Sequence, residues 1–111
     1  MASRPMTPAL VDEVAERFKA LGEPTRLQLL MALREGERTV TELVEATGLG
    51  QANVSKHLQL LSSAGFVTRK KRGIFAHYAL AGDHIFAMCD VMCARIDEQH
   101  REHRAALKVA R

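Results

Sequence analysis

Cys89 and Cys93 are the two thiols of this 111-residue chain, four positions apart. On a helix that spacing sets their Cβ atoms about 5–6 Å apart on one face, so two thiolates could grip one thiophilic centre such as trivalent arsenic, mercury or cuprous copper. A direct bond between them would distort the helix, because disulfide Cβ atoms sit about 3.8 Å apart. Oxidation or persulfidation of the separate thiols is a third use. Equal weight goes to the alternative that both pack as small apolar side chains. Elsewhere in the same segment, Asp83, His84, His100 and His103 offer carboxylate and imidazole ligands. In an antiparallel pair of chains they would face each other as a nickel or zinc site.

A second kind of chemistry lies in the middle of the chain. Residues 51–73 hold Lys56, Arg69, Lys70, Lys71 and Arg72 with no acid, and so carry the positive excess of a chain whose net charge is +3. The flanks are acidic (residues 1–50, six bases against eight acids) or balanced (residues 74–111, five of each). Such a block fits a polyanion-binding surface as well as it fits a solvated face. Nothing resembles an enzyme: there is no Gly-rich phosphate loop and no nucleophile with an adjacent base. No apolar run reaches the roughly eighteen residues of a membrane helix, and MASRPMTPAL lacks a secretory core, so a cytoplasmic protein with reduced thiols is expected.

The elements that must position these groups follow from periodicity. Thr7 and Pro8 open a first helix over 7–20 with Leu10, Val11, Val14, Ala15, Phe18 and Leu21 on its apolar face, and Gly22 ends it. Glu23-Pro24-Thr25 starts a second helix with Leu27, Leu30, Met31 and Leu33 inward, stopped by Gly36. A short third helix is expected from Thr41, as N-cap, to Ala46, with Gly48 past its end. In the fourth, Val54, Leu58 and Leu61 share one face and Gln51, Asn53, Ser55, Lys56 and Gln59 take the others. From Phe66 the period changes to that of a two-stranded ribbon over 66–80, with Arg72-Gly73 at its turn and His77 in a structural role. A long final helix over 83–108 places Ile85, Cys89, Met92, Cys93, Ile96, His100, His103 and Leu107 on one stripe. The fold class is mainly α with a small β-hairpin, in a single domain over 1–111.

Two short helices joined by TGLG, over 39–64, followed by a basic hairpin, make a helix-turn-helix with a wing. The residue types suit duplex DNA: Gln and Asn pair with adenine edges, and Lys and Arg neutralise phosphates. FKALGEPTRLQLLMAL (18–33), TVTELVEATGLGQANVSKHLQLLSSAGFV (39–67) and RKKRGIFAHYAL (69–80) resemble the ArsR/SmtB family of winged-helix repressors. The resemblance covers about three quarters of the chain. It implies a cytoplasmic homodimer ordered α-α-α-α-β-β-α, with the terminal helices as dimer interface, that binds double-stranded operator DNA and leaves it when an inducer binds.

By position in that family, Gln51, Asn53, Ser55, Lys56 and His57 fall on the recognition helix and Arg69, Lys71 and Arg72 on the wing; His57 could equally be structural. Gly50 stands where the family usually has a Ser cap, a change that costs only a few tenths of a kcal/mol. The family's thiolate site on the third helix is absent, since TVTELVEAT has no Cys. Its site on the last helix is broken, because Asp83 and His84 are followed by Arg95 and Glu98, and a guanidinium has no lone pair to give. The remaining expectation is a soft metal, metalloid or thiol modification at Cys89 and Cys93. The other readings are zinc or nickel sensing through histidines, and a ligand-independent winged-helix interaction module.

Overall fold

Pro8 and Pro24 each stand in the first turn of a helix, where a backbone N–H has no intrahelical acceptor and its loss is harmless. In a computed structural model, which describes residues 4–109, they open α1 (Pro8–Leu21) and α2 (Pro24–Ala32). These are followed by β1 (Arg38–Thr39), α3 (Val40–Thr47), α4 (Gln51–Ser63), β2 (Val67–Arg72), β3 (Phe75–Leu80) and α5 (His84–Val109). Residues 1–3, 110 and 111, which the single-domain expectation includes, lie outside the described residues. Two compact units make up the chain, dividing between Ala81 and Gly82.

In the first unit, α2, α3 and α4 pack on one another and α4 packs on β2. The core is made of Leu29, Leu30 and Leu33 from α2 and its C-cap, Leu43 from α3, and Val54, Leu58 and Leu61 from α4, closed by Leu21, Val67 and Tyr78. The α4 face is as expected. On α2, however, Leu29 is fully buried and Met31 is 40% exposed. The run LQLLMAL is apolar on nearly every side, so its periodicity does not fix which face turns inward. The tertiary packing selects the ridge of residues 29, 30 and 33.

The cap of α3 is also shifted. Thr39, not Thr41, accepts from the Glu42 N–H at 3.2 Å, while the Glu42 carboxylate accepts from the Thr39 N–H at 2.9 Å. This reciprocal capping box satisfies two otherwise orphaned donors. Its signal was present in the sequence, because Thr39 has Glu three residues on and Thr41 has Val44. Gly48 ends α3 in the left-handed region, at φ 74°, which favours glycine. Gly50 precedes α4 with no side-chain cap.

The ribbon is part of a three-stranded antiparallel sheet in the order β1-β3-β2. A strand of two residues cannot display a period of two, which is why β1 has no sequence signal. The hairpin turn is centred on Gly73-Ile74, one residue later than expected, with Arg72 opposite Phe75. Gly73 has φ 63° and among the described residues no non-glycine residue has positive φ, the sign pattern of a type II′ turn with Gly first.

The second unit is α5, about 39 Å long at 1.5 Å per residue. Ile85 and Phe86 are buried near its start. From Ala87 to Lys108 every side chain is exposed except half-buried Cys89, so Met88, Val91, Met92, Ile96 and Leu107 present an apolar surface. No helix among the described residues is long and apolar enough to cross a membrane.

Thr39→Ala should lower unfolding free energy by about 1 kcal/mol, read by urea denaturation near neutral pH. The Thr39 N–H and hydroxyl hold the Glu42 carboxyl below its ordinary value of 4.5. Because the folded state favours the carboxylate, its contribution is full above that value and fades as pH falls through the lower folded one. Glu42→Gln should therefore be less stable than the parent near neutrality and approach it in acid. A difference independent of pH would contradict the charged cap.

Candidate nucleic-acid interface

Burial of Val54, Leu58 and Leu61 fixes the rotation of α4 and thereby turns Gln51, Asn53 and Lys56 to solvent, with Ser55 and His57 half-buried. The uncapped first turn leaves backbone N–H groups at the end of the helix that carries positive partial charge. Beside it, β2 contributes Arg69, Lys70, Lys71 and Arg72, all exposed. Ser55 and Gln59 of α4 and Arg69 of β2 line the same groove. An open groove of about 630 Å³ between α4 and the sheet is lined by Ser55, Gln59, Ser62, Arg69, Ala76 and Tyr78.

Strand alternation divides the four cations. Arg69 stands opposite Tyr78 and Lys71 opposite Ala76, whereas Lys70 stands opposite His77 and Arg72 opposite Phe75. Side chains two apart share a face, so Arg69 and Lys71 belong to the face that carries Val67 and Tyr78. Lys70 and Arg72 belong to the other. There Arg72 forms an ion pair with Glu37, Nη1 to Oε1 at 2.6 Å, and His77 places Nδ1 3.6 Å from the same oxygen. Glu37 had no signal in the sequence as a partner of the wing, because it lies thirty-five positions from Arg72. At the tip, Ile74 is 85% exposed.

His57 has a structural partner that sequence reasoning missed. Arg26 Nη1 lies 3.1 Å from His57 Nδ1, and since a guanidinium has only donors, Nδ1 is the acceptor. The same guanidinium donates from Nε to the Ala20 carbonyl and from Nη2 to the Lys19 carbonyl at 3.2 Å. Arg26 therefore joins the last turn of α1 to α4. Glu23 caps α2 by accepting from the Arg26 N–H at 2.9 Å. That bond foremost, with a side-chain hydrogen bond from Thr25 and the charge of Arg26 adding to it, lowers the Glu23 pKa from its ordinary value. The one available signal was a long cation inside an otherwise apolar helix stretch.

On α5 the thiols are free, Cys89 half-buried and Cys93 exposed, one turn apart. His84 and His100 are about 24 Å apart along the helix axis, so Asp83, His84, His100 and His103 cannot share an ion within one chain. Among the described residues no three His, Cys, Asp or Glu side chains are grouped to hold a metal ion. The thiol pair offers two ligands per chain, and for a pyramidal arsenic a third must come from elsewhere.

Residues 23–69 match the family model for bacterial regulatory protein, arsR family. The chain is 37% identical over 105 residues to the HTH-type transcriptional regulator Rv0324 of Mycobacterium tuberculosis, an alignment spanning 92% of this chain and 43% of that protein. Among solved structures, the homodimeric winged helix-turn-helix DNA-binding domain of Mb0332 from Mycobacterium bovis, a possible ArsR-family transcriptional regulator, is similar at TM-score 0.73 and 35% identity, covering 88% of this chain and 92% of that one. The AntR antimony-specific transcriptional repressor is similar at TM-score 0.73 and 31% identity, covering 91% and 92%. The chain spans about half the length of the first curated relatives it matches.

Arg26→Lys keeps the charge but cannot reach three acceptors in one plane. It should lower stability by about 1–2 kcal/mol, measured by chemical denaturation. It should also shift the NMR resonances of the His57 ring. An unchanged His57 environment would contradict the bridging role.

Proposed function

The chain belongs to the arsR family of bacterial regulatory proteins, and from that premise we propose that it is a cytoplasmic, homodimeric transcriptional repressor that binds operator DNA. The observation that carries the reading is the exposed polar face of α4, whose Ser55 and Gln59 line one groove with Arg69, the first of four consecutive exposed cations of β2. In this reading Gln51, Asn53, Ser55 and Lys56 enter the major groove and read base edges, with His57 at the rim, tethered to Arg26. Arg69, Lys71 and Arg72 neutralise phosphates flanking the groove. The homodimeric state of the Mb0332 domain supports pairing. So do Val11 and Phe18 on α1 and Met92 and Ile96 on α5, which are exposed in a single chain.

Cys89 and Cys93 are proposed as the inducer site, taking a soft metal or metalloid or being modified as thiols. Their support is the i,i+4 spacing of two free thiols and the likeness to a repressor named for antimony. An event on α5 would change the angle between protomers. The two recognition helices would then no longer match half-sites about 34–36 Å apart, which couples inducer to operator as two states of one dimer.

Fluorescence anisotropy on the DNA upstream of its own gene should give at least about a thousandfold tighter binding than on a scrambled duplex. Equal, weak binding to both would favour an interaction module instead. Lys71→Ala should weaken both complexes and flatten the slope of log K against log salt by about 0.9. Gln51→Ala should instead erode the preference by about 1–3 kcal/mol, with the salt slope unchanged. Replacing Cys89 and Cys93 by Ser should leave operator binding intact and abolish release by arsenite, antimonite or mercuric ion. Release that survives the double substitution would overturn the thiol site.

A further inference from the structure

Glu37 lies in the turn between α2 and β1, outside the basic stretch. Thr39 of β1 is in register with His77 of β3, which is in register with Lys70 of β2. Residues two apart along extended chain point the same way, so Glu37, Thr39, His77, Lys70 and Arg72 come up on one face of the sheet. The pairing of β1 with β3 thus delivers a carboxylate to the wing. Among the described residues Arg72 is the cation of β2 that has a carboxylate partner. Its Nη1 lies 2.6 Å from Glu37 Oε1, and the neighbouring His77 Nδ1 is 3.6 Å from that oxygen.

A carboxylate oxygen at this distance presents to a guanidinium what a phosphodiester oxygen would present. The side chains of Arg72 and Glu37 are 59% and 31% exposed. An ion pair so open to water is exchangeable, in contrast to a buried pair. We propose that Glu37 is an intramolecular stand-in for a DNA phosphate: it occupies Arg72 in the free protein and must be displaced before the wing can grip a duplex. This rests on the DNA-binding reading above and adds a competing group to it. Since Glu37 makes no contact that depends on sequence, it lowers affinity for every duplex by a similar factor. Arg69 and Lys71, on the opposite face of the strand, are outside its reach.

The test is a double-substitution cycle read by anisotropy on the upstream duplex and on a scrambled one, at low salt. Glu37→Gln should tighten both complexes by about two- to fivefold, the range expected for releasing an exposed ion pair. Arg72→Ala should weaken both, and adding Glu37→Gln on that background should restore nothing beyond what charge alone gives. Glu35→Gln measures that charge effect, because Glu35 sits in the same turn and pairs with Arg38 at 3.7 Å instead. Equal gains from Glu35→Gln and Glu37→Gln, or a Glu37→Gln gain larger than that of Glu35→Gln that persists without Arg72, would overturn the proposal. Should the wild type bind duplex DNA and Glu37→Gln fail to tighten it, this inference falls and the DNA-binding reading stands. Should the wild type bind no duplex, both fall.

Discussion

Complete burial of one face of α4 is the constraint on which the rest of the first unit depends. A helix packed on a core has one rotation left to choose, and Val54, Leu58 and Leu61, each inaccessible to solvent, choose it. Leu29, Leu30 and Leu33 supply the opposing surface from the α2 side, and Leu43 from α3. Turning α4 by one residue would bury a polar side chain beside these leucines at a cost of several kcal/mol. The identity of the outward-facing side chains is therefore a consequence of hydrophobic packing, although those side chains take no part in it.

Arg26 adds a polar constraint to this apolar one. Its guanidinium ties carbonyls at the end of α1 to a ring nitrogen of α4, so a shift of α1 is felt at the helix that carries Gln51 and Asn53. In the wing, the sheet register has a comparable effect. It separates neighbouring cations by face and, through β1, sets a carboxylate against one of them. The net charge of the basic stretch thus overstates what is free to meet a polyanion. Three cations of β2 are unpaired among the described residues, and the fourth is engaged.

α5 presents the opposite situation, a long helix with apolar and thiol side chains facing water in a single chain. Exposed Val91, Met92 and Ile96 along one helix form the kind of surface that association covers. The partial burial of Cys89 against the exposure of Cys93 makes the two thiols unlike in access to solvent despite their regular spacing. A three-coordinate centre such as trivalent arsenic held by both must also draw on a donor beyond this pair.

The sequence by itself determined the order and nearly all the bounds of the helices, because prolines, glycines and a capping pattern mark their ends and three-four spacing marks their faces. It also placed the basic hairpin and the polar surface of α4, since both are contiguous in the chain. Tertiary structure decided what depended on residues distant in sequence. The inward face of α2 was ambiguous in an all-apolar run until α3 and α4 packed on it. β1 exists as a strand because β3 offers it an edge. His57 was bound to Arg26, and Arg72 to Glu37, by contacts between residues about thirty positions apart, and no local periodicity encodes such contacts. Local signals fix what a segment becomes; the choice of polar partner belongs to the packed chain, where geometry brings distant charges within hydrogen-bond reach.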